Sequence, residues 1–314
     1  MKINKTYIAP MVGRTDIFFR ILIRSISDSI NLFTEMTTCD AYLFTDRRNY
    51  KVDTNEHHIS IQLAGSDPKK FAKCAKIIEA NGYDELNINV GCPSSKVIKG
   101  AFGACLMKEP KILSSIVTEI NEHSDIPISI KTRLGLNYDE SLDLLINLIT
   151  ETRAVGCRKF IIHARNAILG GLSPKKNRSI PKLRYQDAET IKNMFPDLEF
   201  IINGGIEEIE LIEEKLDIFD GVMIGRKIYS DPIFIQRLQN HLDGKDFQLS
   251  RSEIVEKYLD AIQLLKHHNS NYLILRHLFG LYYNTSKSKK WKKLLHQIIS
   301  EDLNVNELRK FKEH

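Results

Sequence analysis

Eight short runs rich in β-branched and aromatic residues recur along the first 225 residues, and this repetition constrains the fold more than any other feature. They read "YIAPM" (7–11), "LFTEM" (32–36), "ISIQL" (59–63), "ELNINV" (85–90), "PISIKT" (127–132), "KFIIHA" (159–164), "EFIING" (199–204) and "GVMIG" (221–225). Most stop at a polar residue or glycine and are followed by a longer stretch of helical period. "DPKKFAKCAKIIEANG" (67–82) is one such stretch, opened by Asp-Pro and closed by Gly. Eight strands alternating with helices predict an α/β fold, a parallel (β/α)8 barrel of the TIM type. An open doubly wound sheet is the alternative; it usually begins with a Gly-x-Gly-x-x-Gly turn, which this chain lacks.

A barrel of this type gathers its chemistry at the C-terminal ends of its strands. Here those ends are Pro10 and Met11, Glu35, Gln62, Asn89 with Cys92, Lys131 with Arg133, His163 with Arg165, Asn203 with Gly204 and Gly205, and Gly225 with Arg226. One polar strand end means little, but eight in a row that supply amides, cations and glycines specify a site. "NGGI" (203–206) and "GR" (225–226) should each open a helix, so that bare backbone N–H groups form a phosphate cradle after the last two strands. Either pair alone could serve only a tight turn. Lys131 and His163 would reach the body of the bound molecule, and a flat cofactor with one terminal phosphate fits.

The chain has 314 residues, 42% of them hydrophobic, enough for a barrel-sized core and a smaller unit. Its five cysteines, at 39, 74, 92, 105 and 157, form no CxxC pair and no Cys/His cluster. Neither a disulfide framework nor a metal site is expected, and the compartment should be reducing. The apolar run near the N-terminus is too short for a signal-peptide core, so a cytoplasmic location follows. Glu35 and Arg133 are ambiguous, since each could equally be an ion-pair partner inside the barrel mouth.

Net charge is +5, and the last 70 residues hold all of it, with 13 Lys/Arg against 8 Asp/Glu. This divides the chain into a barrel over 1–242 and a basic helical segment over 243–314. Helical spacing is expected in "SEIVEKYLDAIQLLKHH" (252–268), "YLILRHLFGLYYN" (272–284) and "WKKLLHQIIS" (291–300). "KSKKWKK" (287–293) sets five lysines around the only tryptophan, suited either to phosphate contacts beside a stacking face or to a plain solvated helix face.

In combination and in this order, "APM", "NVGCPS", "KTR", "HAR", "NGGI" and "GVMIGR" resemble the flavin-dependent tRNA-dihydrouridine synthases. "GAFGACLM" (100–107) and "GLSPKKNRSIPKLRY" (171–185) resemble the branch that acts on uridines 20 and 20a of the D-loop. The chain departs from that branch at "VGRTD" (12–16), where an acid and an aromatic usually follow "APM".

The resemblance implies flavin mononucleotide (FMN) as cofactor, NADPH as reductant and tRNA as substrate. It makes Cys92 the general acid that protonates C5 of the uracil while hydride arrives at C6, a role open to a thiol that is mostly protonated at neutral pH. It assigns Pro10 and Met11 to one flavin face, Gln62 to the pyrimidine edge, Lys131 to the charge of the reduced ring, and His163, Asn203, Gly204, Gly205, Gly225 and Arg226 to the rest of the cofactor. Asn89 would hold the uracil edge. Lys175 and Arg178, in a loop with five basic residues and no acid, and Arg276 in the tail would contact tRNA, whose D-loop uridine must flip out to reach the barrel mouth. Arg276 could equally cap or bridge inside the helical bundle. Cys105 reads as a packing residue, and so do Cys39, Cys74 and Cys157. Two other readings stay open: a flavin barrel acting on a free pyrimidine, and an RNA-binding barrel without catalysis.

Overall fold

The computed structural model describes residues 2–44, 56–94, 100–244, 246–263, 265 and 269–311. Among the described residues nine parallel strands carry the fold: β1 Thr6–Ile8, β2 Leu32–Phe33, β3 Thr37–Thr38, β4 Ile59–Ala64, β5 Glu85–Val90, β6 Ile128–Arg133, β7 Lys159–His163, β8 Glu199–Asn203 and β9 Gly221–Ile224. Eight of them pair in the order β1-β9-β8-β7-β6-β5-β4-β2, and β3 pairs with β4 off this path. The ring closes because Asn31, just before β2, bridges to β1: Ile8 N–H donates to Asn31 O (2.8 Å) and Asn31 N–H to Thr6 O (3.0 Å). All eight expected runs are strands of one parallel barrel.

The ninth strand comes from a break inside "LFTEM". The Thr34 hydroxyl takes the Gln62 amide proton (3.1 Å) in place of a backbone carbonyl, and pairing resumes only at Thr37↔Leu63. Between Phe33↔Ser60 and Thr37↔Leu63 this strand spends one more residue than β4 does, as in a bulge.

Helices Pro68–Ala80, Pro110–Asn121, Asp143–Ala154, Tyr185–Met194 and Ile209–Ile218 follow successive strands. The first starts where its sequence predicts: the Asp67 carboxylate caps Lys70 N–H (3.2 Å), Pro68 follows, and Gly82 turns the chain out with a φ of +84°. Cys39, Cys74 and Cys157 are buried, as packing residues should be.

The chain falls into two compact units. One comprises Lys5–Pro10 and Asn31–Ile224 and holds every strand; the other comprises Met1–Asn4, Met11–Ile30 and Gly225–His314. The helical unit thus includes residues 225–242 and an early segment, so compactness groups the chain differently from the charge-based division at 242/243. In this unit the helices are Ile17–Arg24, Arg226–Ser230, Phe234–Asp243, Arg251–Ala261, Asn271–Leu275 and Ser288–Ser300. Residues 264 and 266–268 of the expected first tail helix lie outside the described residues. The expected helix over 272–284 is only partly realised. It stops after Leu275, and Gly280, where a Cβ would come within 2.8 Å of Ser230 O, lies in a 3-10 turn instead.

Trp291 is fully buried, donates from its indole N–H to Leu278 O (2.8 Å) and packs against Tyr282 and Phe311 at ring distances of 4.8 and 5.1 Å. The tryptophan is therefore a core anchor and offers no stacking face, while the lysines around it lie on the outer side of the helix. No described helix is long and apolar enough to cross a membrane.

Candidate active site

Side chains alternate along a strand, so residues i and i+2 share a face. On β1, β2, β7, β8 and β9 one such face supplies an apolar cluster of Tyr7, Ala9, Phe33, Ile161, Ile201 and Met223. The matching positions of β4, β5 and β6 are polar, and their hydrogen bonds climb the barrel. Low in it, Glu85 accepts from Ser60 Oγ (3.1 Å) and Ser129 Oγ (2.6 Å) and pairs with Lys159 (2.9 Å), which lies 4.7 Å over the Tyr7 ring. Asn87 then donates to Ser129 (2.7 Å), Gln62 donates to Asn87 (2.7 Å), and Asn89 donates to Gln62 Oε1 (3.0 Å). Buried amides joined this way offset one another's desolvation and hold a single rotamer each.

The top of this ladder fixes Cys92. The Asn89 carboxamide oxygen accepts the backbone N–H groups of Gly91 (3.3 Å) and Cys92 (3.1 Å), and the Cys92 carbonyl accepts Ala104 N–H (3.1 Å). Cys92 is half-buried, so its backbone is held at both ends while its thiol stays reachable. The loop beyond it, 95–99, lies outside the described residues. Cys105 is also half-buried, in a 3-10 turn over Gly103–Lys108.

Register brings the other strand ends into line: Asn89 is opposite Lys131, Arg133 opposite His163, and His163 opposite Asn203. Lys131 Nζ donates to Asn203 Oδ1 (3.0 Å), and Asn203 donates to Met223 O (2.7 Å). Desolvation, with Arg133 adding repulsion, lowers the Lys131 ammonium to about 7. Burial, then Arg133, Lys131, Arg165 and Arg178, pushes His163 well below its ordinary value, so its imidazole is neutral.

Gly204 and Gly205 do not open a helix as expected. They take φ of +114° and +67°, and the next helix begins only at Ile209, with Glu207, Glu208 and Glu210 at its start. An anion there would meet carboxylates, so the side-chain-free amides of the two glycines, and not that helix terminus, are the groups suited to a phosphate. A Cβ on Gly204 would lie 2.4 Å from His163 Cδ2. Gly225, by contrast, does precede the short helix Arg226–Ser230 directly, as expected.

The basic loop follows β7. Lys175, Lys176 and Arg178 are exposed, while Asn177 among them is fully buried and ties the loop together by accepting Ile168 N–H (2.8 Å) and donating to Ile168 O (3.0 Å). Arg178 is close enough to repel both Arg133 and His163. Sequence reasoning missed Asn177 because its partners are backbone groups that only the folded loop presents.

Pro10 follows Ala9, whose N–H extends the β1–β9 pairing to Ile224 O (2.8 Å). In the helical unit, Met11 starts a turn in which its N–H donates to Thr15 Oγ1 (3.0 Å) and its carbonyl accepts from Arg14 and Thr15. Arg14, at the point of departure from the family pattern, stacks its guanidinium 4.5 Å from the Tyr229 ring centre. Arg276 is mostly buried and bonded to Asp16, the N-cap of helix Ile17–Arg24, which also meets His277 at 2.8 Å. Much of the Arg276 hydrogen-bonding capacity is thereby used within the bundle.

The donor set suits a phosphate-bearing cofactor: Lys131 meets Asn203, His163 lies opposite Asn203 and against Gly204, and the described partners of Lys131 and Asn203 include no carboxylate. Comparison with known proteins identifies the family. Residues 7–314 match the family described as "Dihydrouridine synthase (Dus)". A Synechocystis protein named "tRNA-dihydrouridine(20/20a) synthase" is 39% identical over 296 residues, covering 93% of this chain and 89% of its own. A Pseudomonas aeruginosa protein of the same name is 40% identical over 92% of this chain and 88% of its own. Among solved structures, morphinone reductase in complex with tetrahydroNAD shares the fold, with a TM-score of 0.55 at 12% identity over 80% of this chain and 90% of its own.

Proposed function

The chain belongs to the dihydrouridine synthase family, and from that premise we propose that it is a tRNA-dihydrouridine(20/20a) synthase that uses FMN and NADPH to reduce the C5–C6 double bond of D-loop uridines. The observation that carries the reading is Cys92, fixed through Asn89 and Ala104 in the mouth where Gln62, Lys131, His163 and Asn203 converge. When bound, a flavin recharged by NADPH would supply the hydride. Cys92 gives its proton to C5 and recovers it from solvent, so the thiol acts as acid without forming a bond to carbon. Asn89 keeps one amide N–H for the uracil edge after serving Gln62, and Gln62 keeps one donor and one acceptor site for the flavin edge. Lys131 would offset negative charge on the reduced ring of a bound flavin. His163, Asn203, Gly204 and Gly205 hold the remainder of the cofactor, with Pro10, Met11, Gly225 and Arg226 assigned to it by sequence resemblance. Lys175, Arg178 and Arg276 serve tRNA in a cytoplasmic enzyme.

The purified protein is expected to be yellow, to release FMN on denaturation, to be bleached by NADPH and to regain colour when tRNA lacking dihydrouridine is added. Tightly bound dinucleotide, or colourless protein that resists reconstitution, would overturn the cofactor assignment. Mapping dihydrouridine in tRNA from a strain without the gene tests the positions; unchanged 20 and 20a would overturn the substrate.

Neutralising Lys175 or Arg178 should each reduce the slope of log tRNA affinity against log salt by roughly one, since a cation taken away from a phosphate leaves one counterion in place on the RNA. Binding that weakens without any change of slope would place these side chains away from phosphate.

Lys131 sets a pH test on protein stripped of flavin. Its ammonium ordinarily titrates near ~10.4 but is held at about 7 in the folded chain, so the unfolded chain binds more protons between those values. The folding penalty is full below pH 7 and is relieved as pH rises above it. A Lys131→Met variant lacks the penalty. Its advantage in melting midpoint over the parent should therefore shrink steadily from pH 7 to 9, and a gap that does not change with pH would refute the desolvation of Lys131.

A further inference from the structure

Arg133 ends β6 and is 4% exposed, yet the reaction as described gives it no part. Its Nε donates to the carbonyl of Gly91 (3.3 Å), the residue before Cys92. Its Nη1 donates to the carbonyls of Asn177 (3.1 Å) and Asn166 (3.4 Å), at the centre and the root of the basic loop. One guanidinium therefore spans the segment that carries the thiol and the loop that carries Lys175 and Arg178. Both attachments are stiff. Gly91 packs so closely on β6 that a Cβ there would lie 3.3 Å from the Thr132 carbonyl carbon, and Asn177 is locked by its own bonds to Ile168 and Leu172.

The charges around Arg133 are lopsided. Arg165 and Arg178 repel it, Lys131 and His163 sit within reach of its field, and Cys92, when deprotonated, attracts it. Burial among these cations lowers the guanidinium to about 9. A planar cation with several fixed donors can hold three carbonyls at once, whereas an ammonium presents a point charge on a flexible stem.

We propose that Arg133 is a positioning residue for proton donation, one that sets the Cys92 segment against the basic tRNA loop and keeps a cation beside the thiolate that forms when Cys92 gives up its proton. The proposal rests on the function argued above for Cys92. In that step the S–H bond breaks, a C–H bond forms at C5, and Arg133 stabilises the negative charge left on sulfur until solvent returns the proton.

The test compares Arg133→Gln, which loses the charge, with Arg133→Lys, which keeps the charge but cannot reproduce the three carbonyl bonds. The first readout needs no turnover: alkylation of Cys92 by iodoacetamide across pH, followed by peptide mass analysis, with half-buried Cys105 as internal reference. In the Gln variant Cys92 alkylation at pH 7.5 should fall about three- to tenfold relative to Cys105, because the cation facing the thiolate is gone, while the Lys variant stays within about twofold. The second readout is reoxidation of reduced flavin by saturating tRNA, expressed per bound flavin, and it should slow by about 10–100-fold in both variants.

A Gln profile that superimposes on the parent's, or a Lys variant reoxidised at the parental rate, would overturn the proposal. If the Gln variant yields no folded protein, the Lys variant decides alone. Parent protein that tRNA fails to reoxidise would overturn the reading of function instead, and the alkylation comparison would still decide whether Arg133 acts on Cys92.

Discussion

Changing Cys92 to Ala is expected to leave flavin bound and reduced by NADPH at close to the parental rate, while reoxidation of that flavin by tRNA slows by about 10²–10⁴-fold, the usual worth of a positioned acid. The backbone geometry makes this separation sharp. Asn89 and Ala104 hold residue 92 through its main-chain N–H and C=O, which alanine retains, so loss of the thiol should not move the loop. Stopped-flow measurement of both half-reactions on one preparation decides the matter. Equal slowing of the two would mean that Cys92 is a structural residue and that the acid lies elsewhere.

Gly204→Ala should have an effect of comparable size on the cofactor. At φ +114° an L-residue is strained, and its Cβ would lie 2.4 Å from His163 Cδ2 and 2.8 Å from Nε2. The ring must move, and with it the face presented by His163 and Asn203. Flavin affinity should fall by roughly 100-fold, equivalent to about 2.7 kcal/mol, and the fold should lose about 1–3 kcal/mol from backbone strain. Gly82→Ala separates the two effects, because Gly82 has a φ of +84° but no atom within 4 Å of a Cβ. It should lose stability and stay yellow. Full flavin content in Gly204→Ala, measured by absorbance after denaturation, would refute the proposed cradle.

Much of the barrel is legible without coordinates. A parallel strand buried on both faces needs near-continuous apolar residues, so "KFIIHA" and "EFIING" announce themselves, and helix Pro68–Ala80 carries its own start and stop. The polar strand ends were equally visible, because a barrel has one place for them. Trp291 was misread although a signal existed: Trp291, Leu295 and Ile298 recur at helical spacing and mark the buried face, while the lysines between them belong outside.

Other features lay beyond any local pattern. The ninth strand depends on a Thr34 hydroxyl taking the Gln62 amide proton, and Arg276 meets an Asp16 that lies 260 positions away. Arg133 is the sharpest case. Strand alternation places it on the same face as Lys131, and its residue type says that it carries charge, but "KTR" reads the same whether the arginine meets a carboxylate, a phosphate or backbone carbonyls. By itself the sequence determined the fold class, the family and the chemical inventory of the mouth, since periodicity and residue type are local properties of a chain. Only the tertiary structure decided which of those groups touch, because the carbonyls of Gly91, Asn166 and Asn177 become neighbours of one guanidinium only when two loops, one after β5 and one after β7, close over the same strand ends.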